Sequence, residues 1–475
     1  MDQHQVPIYQ ILKQLNETNP TSFHVPGHKN GDVFPAYARS HFDAILKMDM
    51  TEIPGLDDLH APTESIAEAE KLAAAFFRTE HTFFLVGGST AGNLAMILAT
   101  CNAGDEVIVQ RNSHKSIMNG LELSGASPVF IAPEYDAIVG RYTNPSIDTL
   151  HKALQSHPNA KAVILTYPDY FGKTYDIKEM IELAHHHHIP VLVDEAHGVH
   201  FSLGGSFPAS ALALGADVVV QSAHKMAPAM TMASYLHMKS RFVSKERIAH
   251  FLQMIQSSSP SYPLMASLDI ARSFLATMTK ETMADILESV EQVREALEAP
   301  DNWDILLSDD PLKLTLHVKQ GFSAKKIANL FEKEGVYPEL VTDDQILFIH
   351  GLAPFQKRNR LIKIVKSVCE QLKNNVNHAT IEVTGLFTHP IQELALSYQA
   401  MNRLQTIQVP FHEGAGYIAA EAIIPYPPGI PLILKGETIT AAHIEAIEYM
   451  LKQGVRIQQR EDGIKVYRNK GEVNT

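Results

Sequence analysis

The sequence predicts an α/β protein with a mostly parallel sheet, followed by smaller α+β structure, and three observations predict it. Short β-rich runs recur between residues 82 and 238, helical stretches separate them, and after residue 300 the texture changes to apolar–polar alternation. Several of the runs are apolar throughout, as strands buried on both faces are, and that burial is the habit of parallel sheets with helical crossovers. With 475 residues, 45% hydrophobic and 20% charged, the chain can fill the cores of two or three domains.

Taken in order, residues 8–15 read as a short helix, and Phe23-His24-Val25-Pro26-Gly27-His28-Lys29 as a turn-rich stretch. Residues 1–60 are therefore expected to form an N-terminal arm that wraps another surface. Helical spacing covers 65–77, and strands are expected at 82–86, 106–110, 128–132, 161–166, 190–194, 217–221 and 233–238, within one large domain spanning 61–300. A polar helix over 280–297 leads into a small α+β domain, 301–375, with alternation at 313–318, a helix at 324–334, strands near Val336 and Ile346 and a helix to Leu372. Residues 376–475 make a C-terminal domain with strands at 380–383 and 406–409 and a rigid extended turn from Pro425 to Pro431.

Composition narrows the function. Disordered, collagenous and coiled-coil classes are excluded. Fifty-three Asp plus Glu against forty Lys plus Arg give a net charge of −13, which argues against a nucleic-acid footprint and suits a cationic small molecule. Cys101 and Cys369 have neither disulfide-framework nor metal-ligand spacing, so a reducing cytoplasm is expected. No signal-like stretch and no apolar run of about eighteen residues is present, so no membrane association is expected. His185 to His188 end a helix just before a strand; consecutive residues point in different directions, and the run reads as a solvated helix end rather than a metal site.

Three stretches carry chemistry. The run ending at Val86 enters Gly87-Gly88-Ser89-Thr90-Ala91-Gly92-Asn93 and a helix, where small residues and hydroxyls make either an anion site or a well-capped helix end. It is neither a Walker A loop nor the dinucleotide glycine fingerprint. Val191-Leu192-Val193 delivers Asp194 to the carboxyl edge of the sheet, followed by Glu195-Ala196-His197-Gly198. A further run ends in Ser222-Ala223-His224-Lys225, with Lys225 lying 31 positions after Asp194 among small and apolar residues that favour a neutral, nucleophilic amine. An anion cradle, an acid for a pyridine nitrogen and an amine for an aldehyde, in that order on successive strand ends, are the handholds of pyridoxal 5'-phosphate.

Here the chain resembles the fold-type I pyridoxal-phosphate decarboxylases of ornithine, lysine and arginine. The resemblance covers most of the chain and rests on His24-Val25-Pro26-Gly27-His28, Gly88 to Asn93, Arg111-Asn112-Ser113-His114-Lys115-Ser116, Asp194 to Gly198, Ser222 to Lys225, and Pro425 to Pro431 with Gly436-Glu437. It implies that Ser89 and Thr90 hold the phosphate, with Ser222 and His224 close to it. It implies that His114 stacks on the cofactor ring, Asp194 pairs with the ring nitrogen, His197 lies near the ring and Lys225 bonds the aldehyde. His224 or Lys225 would return a proton to the substrate, and Ser257 to Pro263 would approach a neighbouring subunit's phosphate. The expected reaction is decarboxylation of a basic amino acid, with arginine ahead of lysine and ornithine, feeding polyamine synthesis or acid resistance. Glu52, Asp57, Asp58 and Glu413 are the acids available for the substrate's distal cation. The alternatives are an aminotransferase or other fold-type I lyase, and a catalytically silent protein binding the cofactor or a polyamine. Without the wing domain of the long bacterial members, a homodimer is expected rather than a large ring.

Overall fold

The computed structural model describes residues 1–373, 387, 389–426, 429–452, 456–458 and 463–468. The chain divides into two compact units, Met1–Thr100 with Asp176–Thr279 and Cys101–Tyr175 with Lys280–Thr475. Boundaries drawn along the sequence at 60, 300 and 375 do not show this division, because the chain leaves the first unit at residue 100 and re-enters it at 176.

In the first unit four strands lie in the order His81–Leu85, Ser234–Met238, Val218–Gln221, Val191–Asp194. The last three are buried along their whole length, as the apolar runs Val191–Val193 and Val218–Val220 predict for two of them. Val191–Asp194 and Val218–Gln221 are parallel, but Ser234–Met238 runs antiparallel to both of its neighbours. This departure from the mostly parallel sheet has a simple reason: residues 222–233 hold only the short helix Ala223–Met226 and a turn, too little chain for a helical crossover. The helix Gly88–Thr100 packs against these strands, and Gly92 lies at that contact. A Cβ at that position would lie 2.7 Å from Leu85 Cδ1 and 2.9 Å from Val220 Cγ1.

Residues 3–17 pack within the first unit. Pro7–Glu17 packs on Ser65–Phe77 and Tyr262–Ala276, and the buried Asp269–Arg272 pair fixes its start. Arg272 donates to Gln3 O at 2.7 Å and to Gln5 O at 2.5 Å, and Asp269 Oδ2 accepts from Ile8 N at 3.0 Å. Phe23, Val25, Val33 and Tyr37 remain exposed.

In the second unit Glu106–Gln110 lies between Ser127–Ile131 and Val163–Thr166, parallel to both, and Ile391–Glu393 adds an antiparallel edge to Ser127–Ile131. An antiparallel sheet in the order Trp303–Leu306, Lys313–Val318, Gln345–Ile349, Leu340–Val341 packs with the helices Lys280–Leu297, Ala324–Lys333 and Arg358–Leu372. The strand expected near Val336 begins at Leu340. Gly335, at φ 75°, and Val336 close the preceding helix with backbone bonds to Glu332 O and Phe331 O, and Pro338 delays pairing. Around the helix Ala441–Lys452, Ile423, Ile433, Ile447, Ile464 and Val466 form a small core. The strand expected at 380–383 and part of the proline-rich turn, residues 427–428, lie outside the described residues. Pro425 and Tyr426 belong to the strand Ile424–Tyr426, paired with Arg456–Gln458, where an edge position tolerates a residue without an N–H.

Replacing Gly92 with Ala is expected to lower stability by about 1–3 kcal/mol through overpacking against Leu85 and Val220. Urea denaturation of purified wild type and variant measures it.

Candidate active site

The first unit contains seven of the expected site residues, Ser89, Thr90, Asp194, His197, Ser222, His224 and Lys225, each at the end of a strand or in the segment that follows one. Asp194 closes its strand, buried at 3% exposure. Its Oδ2 accepts from Asn93 Nδ2 at 2.9 Å and its Oδ1 from Ala196 N at 3.2 Å. Asn93 sits one turn beyond Ser89 on the helix Gly88–Thr100, so the helix that opens at the anion cradle also grips the acid. The cradle is fixed from behind by Gln256, whose Oε1 accepts from Val86 N at 2.7 Å and from Gly87 N at 3.3 Å. Gly88, at φ 74°, occupies the left-handed region that glycine adopts without strain. Ser222, the first residue beyond Val218–Gln221, donates through Oγ to Ser89 Oγ at 2.8 Å, which joins the second hydroxyl to the cradle. Thr90 is exposed beside it.

Lys225 lies on the short helix Ala223–Met226, half-buried, with Nζ 3.0 Å from His197 Nε2. An ammonium only donates, so it requires His197 to be neutral with its proton on Nδ1. His224 Nδ1 lies 3.2 Å from Ala233 O. A carbonyl only accepts, so Nδ1 carries the proton and Nε2 is the basic nitrogen of the neutral ring.

Behind these groups runs a buried chain that sequence reading missed. Glu195 accepts from Ala211 N at 2.7 Å and Gln221 Nε2 at 2.5 Å; Gln221 Oε1 lies 3.0 Å from His237 Nε2, and His237 Nδ1 lies 2.9 Å from Thr82 Oγ1. Burial pushes Glu195 up to about 8, opposed by the hydrogen bonds from Ala211 and Gln221, and burial alone pushes His237 down to about 3. Both are therefore mostly uncharged at neutral pH. The alternating pattern of Ser234-Tyr235-Leu236-His237-Met238 hides the role of His237, since strand burial there is complete on both faces. Asn93 was legible in principle, because its i,i+4 spacing from Ser89 puts both on one helical face.

His114 belongs to the second unit. It caps the helix Lys115–Ser124, its Nδ1 accepting from Ser116 N at 3.2 Å. Its loop is braced by Arg111, which donates to Pro431 O at 2.9 Å and to Glu437 Oε2 at 2.7 Å, and by a bond from Lys115 N to Gly429 O.

Of the four acids expected to face a distal cation, Asp57 is excluded. Its carboxylate accepts from the backbone N–H groups of Asp58, Thr63, Glu64, Ile66 and Ala67, and so caps the helix Ser65–Phe77. Asp58 is exposed and bonds His60 N; Glu413 is exposed in the second unit. Glu52 Oε2 accepts from Thr51 Oγ1 at 2.7 Å, whereas its Oε1 is buried with no hydrogen-bond partner among the described residues. Ser257, Ser258 and Ser259 are exposed, and Ser257 O lies 2.9 Å from His60 Nε2. His185 is only half-solvated, its Nε2 2.8 Å from Asp217 Oδ2, while His186 and His188 are exposed. No group of three or more metal-ligating side chains is found among the described residues. Likewise, no helix among the described residues is long and apolar enough to cross a membrane.

The family model described as "Orn/Lys/Arg decarboxylase, major domain" matches residues 6–306, and that described as "Orn/Lys/Arg decarboxylase, C-terminal domain" matches residues 377–461. The chain is 43% identical over 460 residues to the uncharacterized protein YaaO of Bacillus subtilis, covering 95% of each. It is 36% identical to the arginine decarboxylase of Bacillus subtilis, covering 97% of each, and 34% identical to that of Bacillus anthracis, covering 97% of this chain and 96% of the relative. Among solved structures, the lysine decarboxylase LdcF of Francisella novicida superposes with a TM-score of 0.81 at 19% identity, covering 97% of this chain and 80% of that one. The serine palmitoyltransferase of Sphingomonas wittichii superposes at 0.54 and 17% identity, covering 75% and 86%. These likenesses show the fold expected from the sequence: fold-type I, with the small C-terminal α+β structure.

The buried chain makes an acid-side prediction. The folded-state pKa of His237 is depressed, so the stability due to keeping it neutral is complete above about 6.5 and is lost as pH falls toward about 3. At about pH 5 the cost reaches about 2 kcal/mol, and denaturation curves of His237→Gln at about pH 7 and pH 5 are expected to shift less than those of the wild type.

Proposed function

The chain belongs to the Orn/Lys/Arg decarboxylase family, and we propose that it removes the α-carboxylate of a basic amino acid, arginine ahead of lysine and ornithine, with pyridoxal 5'-phosphate. The observation that carries this reading is the set Lys225, Asp194 and Ser89–Ser222 on adjoining strand ends of one unit, each held by a named partner. Donor chemistry fits the cofactor. Two hydroxyls, a third from Thr90 and a helix N-terminus suit a phosphate, a buried carboxylate suits a ring N–H, and a half-buried amine suits an aldehyde.

Bound there, the cofactor supplies an electron sink for the pair left on the substrate Cα when the carboxylate leaves as carbon dioxide. Asp194 holds the proton on the ring nitrogen that makes the sink effective, and Asn93 fixes the direction of that carboxylate. Ser89, Thr90 and Ser222 would anchor the phosphate. Lys225 Nζ, beside His197, would hold the cofactor through its aldehyde, and Lys225 or His224 Nε2 would return a proton to the substrate Cα. Glu52 receives the distal cation: a buried carboxylate oxygen without a hydrogen-bond donor costs free energy that a guanidinium or ammonium removes.

The working form we infer is a cytoplasmic homodimer, its amine product feeding polyamine synthesis or acid resistance. Relatives named arginine decarboxylase, at 34–36% identity over nearly the whole chain, support the substrate. The exposed apolar side chains Phe23, Val25, Val33 and Tyr37 support a second copy of the chain as partner.

Incubating holoprotein separately with arginine, lysine and ornithine, without a keto acid, is expected to release carbon dioxide and the matching amine, read by mass. A requirement for a keto acid would identify an aminotransferase instead. Lys225→Ala is expected to abolish the visible absorption band that borohydride bleaches and to lower turnover at least about a thousandfold, about 4 kcal/mol of barrier. Glu52→Gln is expected to raise KM for the preferred basic amino acid about tenfold or more while leaving cofactor absorbance intact; an unchanged KM removes Glu52 from the role.

A further inference from the structure

We propose that the α+β region of the second unit holds a binding site for a small aromatic monoanion, made of residues the proposed reaction does not use. A cavity of about 480 Å³ there is lined by the helices Lys280–Leu297 and Arg358–Leu372 and the strands Lys313–Val318 and Gln345–Ile349. That volume lies within the roughly 300–1,000 Å³ usual for small-ligand pockets. Its chemistry is graded. Leu297, Leu314 and Leu361 supply aliphatic lining, and Tyr337, Phe348 and Phe355 supply rings. Tyr337 is 75% exposed and Phe355 41% exposed, so two aromatic side chains stand at a cavity that leaves their faces in water. A planar ring entering it would cover them.

Charge selects the rest of the ligand. The two fully charged side chains in the lining, Lys357 and Arg360, are both cations, in a chain whose net charge is −13. Arg360 Nη2 donates to Glu334 O at 2.8 Å, which holds the guanidinium in place. The helix Arg358–Leu372 begins here, without a side-chain cap and without an acid in its first turn, so its dipole adds to the positive potential. A neutral ligand would use the apolar lining and leave both cations unanswered, and an extended polyanion would need a longer basic track than two residues. One ring carrying one anionic group matches both halves.

The wall is preformed. Ser289 Oγ accepts from Phe355 N at 2.7 Å and lies 3.2 Å from His350 Nε2, and His350 Nδ1 donates to Gly351 O at 2.7 Å. Burial lowers the pKa of His350, so the ring is neutral and the cationic character rests on Lys357 and Arg360. These bonds tie residues 350–355 to the helix Lys280–Leu297, and a ligand would find the loop already ordered.

Calorimetric titration of full-length holoprotein with 3-phenylpropionate, phenyl phosphate and neutral 3-phenylpropanamide tests the site. At least one anion is expected to bind with one-to-one stoichiometry and the amide at least about tenfold more weakly; the tighter of the two anions identifies a carboxylate or a phosphate ester as the natural group. Lys357→Gln with Arg360→Gln is expected to weaken the anion at least about tenfold. Ala353→Trp, at an exposed position in the lining, is expected to block it, each variant being checked for wild-type thermal melting. Absence of binding by both anions, equal binding of the amide, or unchanged affinity in the folded variants overturns the proposal.

Discussion

The approach of the helix Gly88–Thr100 to the sheet at Gly92 is the constraint on which the candidate site depends. With no Cβ at Gly92, the helix packs directly on Leu85 and Val220, and that spacing sets two hydrogen bonds at once: Asn93 to Asp194 at 2.9 Å and Ser222 to Ser89 at 2.8 Å. Each joins segments more than a hundred residues apart in sequence. Hydrogen bonds of that length weaken steeply beyond about 3.5 Å, so a helix displaced by about one ångström would lose both the orientation of the acid and the second hydroxyl of the cradle. One missing methyl group thereby couples core packing to the geometry of the site.

A second constraint is electrostatic. Asp194 and Glu195 are adjacent and both buried, and two ionised carboxylates there would repel. Burial resolves this by holding Glu195 mostly protonated at neutral pH. His237, two bonds further along the chain of contacts, is kept neutral by the same cause. Gln221 makes the arrangement consistent: its amide donates to Glu195 Oε2 while its carbonyl oxygen accepts from His237 Nε2, which leaves Nδ1 to accept from the Thr82 hydroxyl. The tautomer of His237 is thus fixed by an amide and a hydroxyl. Glu195 and His237, in the polar interior behind the site, therefore carry little charge at neutral pH.

Much of this was legible in the amino-acid order. The helix Ser65–Phe77 and the strand Glu106–Gln110 fall on their expected residues, and the other strands expected between residues 82 and 238 fall within about two residues of theirs, because apolar runs are the strongest periodic signal. Asp194 and Lys225 were legible because each follows such a run directly. What was not legible depended on contacts made across the chain. The antiparallel sense of Ser234–Met238 follows from a short connection rather than from its composition. Asp57 has the same sequence signature as any loop acid, and only the folded chain shows five backbone N–H groups converging on it. Gln256 and His237 reach their partners across 170 and 155 residues, distances over which no local pattern operates.

The N-terminal segment shows how local order and an unmet surface coexist. Residues 3–8 are locked by the Asp269–Arg272 pair, whose burial is offset where its donors and acceptors meet the carbonyls of Gln3 and Gln5 and the N–H of Ile8, although Arg272 Nε has no hydrogen-bond partner among the described residues. At its other end the segment is closed by Asp57 on the helix Ser65–Phe77. Between these anchors the chain is internally braced: Arg39 donates to Gly31 O and Asp32 O, Lys47 pairs with Asp43, and the rings of Phe34 and Phe42 meet at 5.4 Å. Phe23, Val25, Val33 and Tyr37 nonetheless stay in water. A surface that is apolar and already ordered can be covered without a further large loss of backbone entropy, since most of that loss was incurred on folding. A disordered segment, by contrast, would have to be ordered at the moment of contact.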